Sequence, residues 1–172
     1  MEWELKFLEW ANQHWTSPPL DQVLPYITHL GGQIGTLFFV LLSGLLIRER
    51  KIFYRLFLLY GIESAAVYSL KFLIHRTRPL FLLQSPMNIY RGEILDPSFP
   101  SGHAAYAFMM ATLLAHWFPR HWILFSLAAC FIGWTRIYLN LHYPTDVIAG
   151  GLLGYGLTRL FLRHIDLRET PS

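Results

Sequence analysis

"FPSGHAAYAFMMATLLAHWF", residues 99–118, runs a proline, a serine, a glycine and a histidine straight into an apolar stretch. As a helix, 101–118 is long enough to cross a bilayer's hydrocarbon core, which takes about 17–25 residues. Four further stretches read the same way, at about 26–47, 53–75, 121–139 and 144–163. Taken as a span, the quoted segment makes the chain an all-α integral membrane bundle of about five transmembrane helices. The polar cluster at its mouth then needs a chemical reason.

Composition agrees with a bilayer as solvent. Only 15% of the 172 residues are charged and 53% are hydrophobic, whereas soluble domains carry about a quarter charged residues. Mean hydropathy is +0.34. The length suits one domain over 1–172, with the motif-bearing part at about 53–163. The single Cys130 leaves no intrachain disulfide and no cysteine metal site. The net charge of +3 comes from arginines at segment ends. Nothing resembles the basic stripe of a nucleic-acid binder, so no nucleic-acid partner is expected.

The start "MEWELKFLEW" is acidic and does not read as a cleavable signal. Trp3, Phe7, Trp10 and Trp15 recur near helical spacing, with Glu2, Glu4, Lys6 and Glu9 between them. This predicts an amphipathic helix in the headgroup region, broken by "TSPPLD" at 16–21. The spans are separated by "RERK" (48–51), a long loop at 76–100 with four prolines, "PRH" (119–121) and "NLHYP" (140–144).

One side of the membrane collects Arg48, Arg50, Lys51, Arg55, Arg120, Arg159, Arg163 and Arg168, eight of the 14 basic residues. The other has Lys6, Lys71, Arg76, Arg78, Arg91 and Arg136. The positive-inside rule places the first group in the cytoplasm and the long loop outside. Gly150, Gly151, Gly154 and Gly156, and Gly61 with Ala65, are expected to allow close helix packing.

Three segments distant in sequence then meet at the outer face: "KFLIHRTRP" (71–79), "PSGH" (100–103) and "TRIYLNLHYPTD" (135–146). Lys71 and Arg78 are seven apart, two helical turns, and so share a side before Pro79 stops the helix. Ser101 suits an N-cap, and Gly102 lets a ligand approach the backbone. His142 and Asp146 are four apart at another helix start, where the carboxylate can accept a hydrogen bond from the imidazole. Cations and a helix N-terminus around two histidines suit a tetrahedral, multiply charged group. One histidine can attack phosphorus while the other protonates the leaving oxygen.

These three segments resemble the motifs KxxxxxxRP, PSGH and SRxxxxxHxxxD of the type 2 phosphatidic acid phosphatase (PAP2) family, with Thr135 where serine is usual. The resemblance implies that His142 is the nucleophile, forming a phosphohistidine, that Asp146 orients it, and that His103 is the general acid. It implies phosphate contacts from Lys71, Arg78, Ser101, Gly102 and Arg136, and no metal or other cofactor. It further implies a lipid phosphate or diphosphate substrate, hydrolysed at the outer face of the cell (inner) membrane. The substrates of bacterial relatives are undecaprenyl diphosphate, phosphatidylglycerol phosphate, phosphatidic acid and lipid A phosphates.

Outside the motif positions, His75 and Arg76 read as interfacial or headgroup contacts. His116, His121 and His164 lie on the far side, and mid-span Glu63 reads as a protonated or hydrogen-bonded structural residue. Among outward carboxylates beyond Asp146, the reading counts only Glu93 and Asp96. The alternatives are a vanadate haloperoxidase-like enzyme, whose relatives are soluble and larger, and a transporter or channel, which would spread polar residues along the spans. The oligomeric state and the preferred headgroup are not legible.

Overall fold

The computed structural model describes residues 2–46, 49–83 and 96–165. Arg48, Arg91, Glu93, Arg168 and residues 84–95 of the long loop lie outside these residues. The described chain is all-helical: α1 (Glu2–His14), α2 (Pro18–Ile27), α3 (Gln33–Leu46), α4 (Arg50–Ile74), α5 (Pro79–Leu82), α6 (Gly102–Trp117), α7 (Trp122–Tyr138) and α8 (Pro144–His164).

Helix starts follow local chemistry. Pro18, Pro79 and Pro144 open α2, α5 and α8, where a missing N–H costs nothing. Ser101 caps α6, its Oγ accepting the Ala104 N–H at 3.4 Å. At α8 the Asp146 carboxylate reaches back to the Tyr143 N–H at 3.0 Å.

Helix α6 is the axis, with α7 and α8 against it and α3 and α4 completing its surround. A Cβ on Gly150 or Gly154 would run into the carbonyl oxygens of Ser101 and Ala105, and one on Gly151 would press on the Phe108 ring. These three glycines let α8 lie directly on α6, as expected. Gly61 and Gly156 face open space instead, so neither admits a neighbour.

The outside is apolar and the polar groups are gathered within. Ile34 is 85% exposed, and Tyr26, Phe38, Phe72, Leu73 and Leu152 are exposed with it. Lys71, Arg78, Ser98, Ser101, Thr135, Arg136, His142 and Asp146 are buried near one end of the bundle. Soluble monomers rarely present so much contiguous apolar surface.

Two elements differ from expectation. The stretch 26–47 is not one helix: α2 passes into a 3₁₀ turn (Thr28–Gly31), and the axis bends by 49° before α3. The break falls at Gly31–Gly32, where a Cβ would strike Ile132 and the His103 ring respectively, so the chain passes close to both. The stretch Arg50–Leu82, which takes in α4 and α5, is long and apolar enough to cross a membrane, and the bent pair is a second candidate if counted as one span. Helices α6 and α7, at 16 and 17 residues, sit at the short limit for spanning. Helix α1 forms as expected, but the face it buries is Glu4, Leu8 and Ala11, while Trp3 and Trp10 are exposed. A carboxylate on the packed face of an amphipathic helix requires a partner inside.

Candidate active site

A cavity of about 290 Å³ opens at the polar end of the bundle. Lys71, Arg78, Gly102, His103, Arg136 and His142 line it, so most of the expected site residues converge as the sequence implied. Ser101 and Asp146 stand behind the wall, joined by the Ser101 N–H on the Asp146 carbonyl at 3.0 Å.

Lys71 and Arg78 reach the cavity by a different route from the one their spacing suggested. Helix α4 ends at Ile74, because His75 takes a left-handed conformation (φ 46°) and returns its N–H to the Lys71 carbonyl. Arg78 sits in extended backbone ahead of Pro79, as a residue before proline prefers. A turn, and not a continuous helix, brings the two cations together.

His142 is almost fully buried. Its Nε2 lies 3.1 Å from Arg78 Nη1. A guanidinium only donates, so Nε2 carries the lone pair and the proton sits on Nδ1. Burial first, and then the charges of Arg78, Arg136 and Lys71, hold His142 well below the ordinary histidine pKa. It is therefore neutral at pH 7.

Asp146 does not hydrogen-bond the imidazole: Oδ2 lies 3.7 Å from His142 Nδ1, beyond bonding range. The carboxylate is spent elsewhere, on Ser98 Oγ at 2.5 Å, Tyr143 N–H at 3.0 Å and Arg76 Nη1 at 2.5 Å. Ser98 stands between the two, with its Oγ 3.4 Å from His142 Nδ1. Since that hydroxyl donates to Asp146, its lone pair faces the imidazole N–H.

Arg76 is not an interfacial residue. Its Nη2 binds Glu4 at 2.5 Å, Nη1 also reaches Thr145 Oγ1 at 2.8 Å, and the guanidinium stacks 3.9 Å over the Tyr143 ring. Glu4 thereby finds its partner inside the protein, a carboxylate at the cavity's end of the bundle that the sequence count left out. Asp96 itself is paired with Lys71 at 3.0 Å and Arg78 at 2.8 Å. Burial opposes charge on Asp96, yet Arg78 and Lys71 outweigh it and lower its pKa.

His103 is held against the 3₁₀ turn, and its Nε2 has no hydrogen-bond partner among the described residues. The His29 ring lies 6.3 Å away. Thr28 anchors Arg136, accepting Nη1 at 3.0 Å. The Thr135 hydroxyl lies 2.7 Å from the Ile132 carbonyl and 2.8 Å from Thr28 Oγ1. Its one proton goes to the carbonyl and it accepts from Thr28. Thr135 thus supports Arg136 from behind and does not border the cavity.

Glu63 is fully buried, neither oxygen bonds a described residue, and it does not border the cavity either. Among the described residues, no three His, Cys, Asp or Glu side chains are grouped to hold a metal ion.

The geometry agrees with what the chain is similar to. The PAP2 superfamily model matches residues 52–169. Undecaprenyl-diphosphatase from Sulfolobus acidocaldarius is 34% identical over 62% of this chain, and the match takes in 52% of that protein, about half its length. The crystal structure of Aquifex aeolicus LpxE superposes with a TM-score of 0.77 at 32% identity, covering 92% of this chain and 94% of that one. A transmembrane PAP2-type phosphatidylglycerolphosphate phosphatase from Bacillus subtilis superposes with a TM-score of 0.78 at 26% identity, over 95% and 84%. With three motifs brought to one cavity and the family match running from α4 past α8, this protein is a member of the PAP2 superfamily.

Proposed function

We propose that this protein is a membrane lipid phosphatase, hydrolysing a lipid phosphate or diphosphate at its outward face through a phosphohistidine on His142. The observation that carries the reading is neutral His142, its Nε2 lone pair held by Arg78 Nη1 in a cavity lined by three cations and a second histidine, where phosphate binding to Arg78 would release it. The exposed apolar surface supports a bilayer setting with five spans, α2 and α3 together making the first. The basic residues at the far end support a cytoplasmic location for that end, and hence an active site on the periplasmic or extracellular side.

In the mechanism, substrate phosphate takes the N–H groups of Lys71, Arg78 and Arg136 that line the cavity. Nε2 of His142 bonds to phosphorus, and the bond from phosphorus to the lipid-side oxygen breaks. His103, protonated at the start of the step, gives its Nε2 proton to that oxygen and becomes neutral. The positive charge gained by His142 is met through Nδ1–H, Ser98 and Asp146. Water then attacks phosphorus, returns a proton to His103, and restores His142 as phosphate leaves.

The candidate substrates are undecaprenyl diphosphate, phosphatidylglycerol phosphate, phosphatidic acid and lipid A phosphates. Phosphate release by purified protein should be measured across this panel, with and without chelator. Release from at least one lipid, unaffected by chelator, is expected. No release from any, or a strict need for magnesium, sinks the proposal.

A further inference from the structure

The cavity carries an anion of its own. Asp96, 46% exposed at the rim, places Oδ2 3.0 Å from Lys71 Nζ and Oδ1 2.8 Å from Arg78 Nη2. Its backbone carbonyl takes Arg78 Nε at 2.9 Å, and the Pro97 carbonyl takes Lys71 Nζ. One carboxylate therefore occupies two of the three cations that line the cavity. The neighbouring cation Arg76 lies behind the wall, committed to Asp146 and Glu4.

A carboxylate and a phosphate present oxygens to a guanidinium in the same way. They cannot both hold the same N–H groups, and two anions side by side in a partly dry cavity repel. A buried cavity with three unopposed cations would also grip free phosphate, the product of the proposed reaction. Binding that favours a ground state and not the transition state slows turnover.

We propose that Asp96 is the competitor built into this site. It holds Lys71 and Arg78 between turnovers, yields them to the substrate's phosphate, and takes them back as inorganic phosphate departs. This rests on the phosphatase reading for its purpose, though not for its measurement. Asp96 acts on the cations and touches no reacting atom, so it is a positioning residue that tunes anion affinity.

Inorganic phosphate is the probe, and full-length purified wild type is compared with Asp96→Asn and Asp96→Ala by calorimetry without turnover. Both variants keep the backbone carbonyls of Asp96, Pro97 and Leu141 that hold Arg78 and Lys71. Phosphate should bind about tenfold tighter when the carboxylate is gone, the scale of a close charge coupling. In steady state, inhibition by phosphate should tighten in parallel, with KM and kcat falling together. Unchanged or weaker phosphate binding in the variants overturns the proposal and leaves Asp96 as a simple support for the cations. A wild type that hydrolyses no lipid on the panel, while its variants still bind phosphate more tightly, sinks the phosphatase reading alone.

Discussion

Residues 52–169, the region matched by the family, hold every histidine and cation of the three motifs. Residues 2–46 hold no motif, yet they reach the same cavity. Glu4 clamps Arg76 and Thr145, Thr28 carries Arg136, and His29 and Gln33 form part of the wall. Asp21 and Asn12 tie the same segment to Tyr138 and Asn140 near the end of α7. The comparison separates two kinds of work. On the proposed reading, the matched region supplies the groups that would meet phosphate, and the leading segment holds them at their angles. Changes in the first should remove chemistry, while changes in the second should degrade it by degrees.

The sharpest break is His142→Ala, which should abolish turnover on every substrate, since no phosphoenzyme can form. The same residue sets a pH limit. Its lowered pKa keeps it neutral, so kcat/KM should fall only below the ordinary histidine value of about 6.5 as pH drops. Removing a cation that lowers that pKa, as in Arg78→Gln, should move the acid limb upward. A limb that stays in place would deny the coupling seen in the structure.

Next in size is His103→Ala, where general acid catalysis is typically worth about 10²–10⁴-fold. A monophosphate expels an alkoxide, which needs a proton, whereas a diphosphate expels a phosphorylated lipid, which leaves readily. Single-turnover phosphoenzyme formation should therefore slow more for the monophosphate. Equal losses would reduce His103 to a phosphate contact.

In the leading segment, Glu4→Gln should lower kcat by about tenfold with little change in KM, the scale of a hydrogen bond between charged groups. Arg76 would keep Asp146 but lose the anchor that aims it. A loss as complete as that of His142→Ala would erase the division between the two regions. The smallest effect belongs to Thr28→Val, expected to raise KM about fivefold by releasing Arg136, with Thr28→Ser restoring it. Failure of serine to rescue would show that packing, and not the hydroxyl, matters there.

The sequence reading reached the motif residues because their signals are local. Ser101 precedes a helix it caps, Pro79 and Pro144 mark helix starts, and an apolar run announces each span. It missed contacts made across long separations. Arg76 meets Glu4 72 positions away and Asp146 70 away, and no periodicity encodes either pairing. Ser98 is not legible, because a serine two residues before Pro100 carries no signature of its own. The four-residue spacing of His142 and Asp146 suggested a direct bond, since nothing local shows that Ser98 and Arg76 compete for the carboxylate. The break at Gly31–Gly32 was hidden because both halves are apolar enough to pass for one span. Aromatic spacing in α1 found the helix but pointed to the face of Trp3 and Trp10, which is exposed, because nothing local shows that Glu4 has a partner inside.

The glycine contact between α8 and α6 reaches beyond packing. Ser101 and the chain around Asp146 are fused there by backbone contact and a direct hydrogen bond, so the first turn of α6, which bears His103, and the helix start following His142 behave as one rigid block. The relative placement of the two histidines is then settled when the chain folds, and little reorganisation remains when a lipid arrives. Tolerance to new headgroups should therefore reside in the lining residues outside that block, His29, Gln33 and Tyr68. Substitutions there can reshape what enters while the reacting pair keeps its alignment.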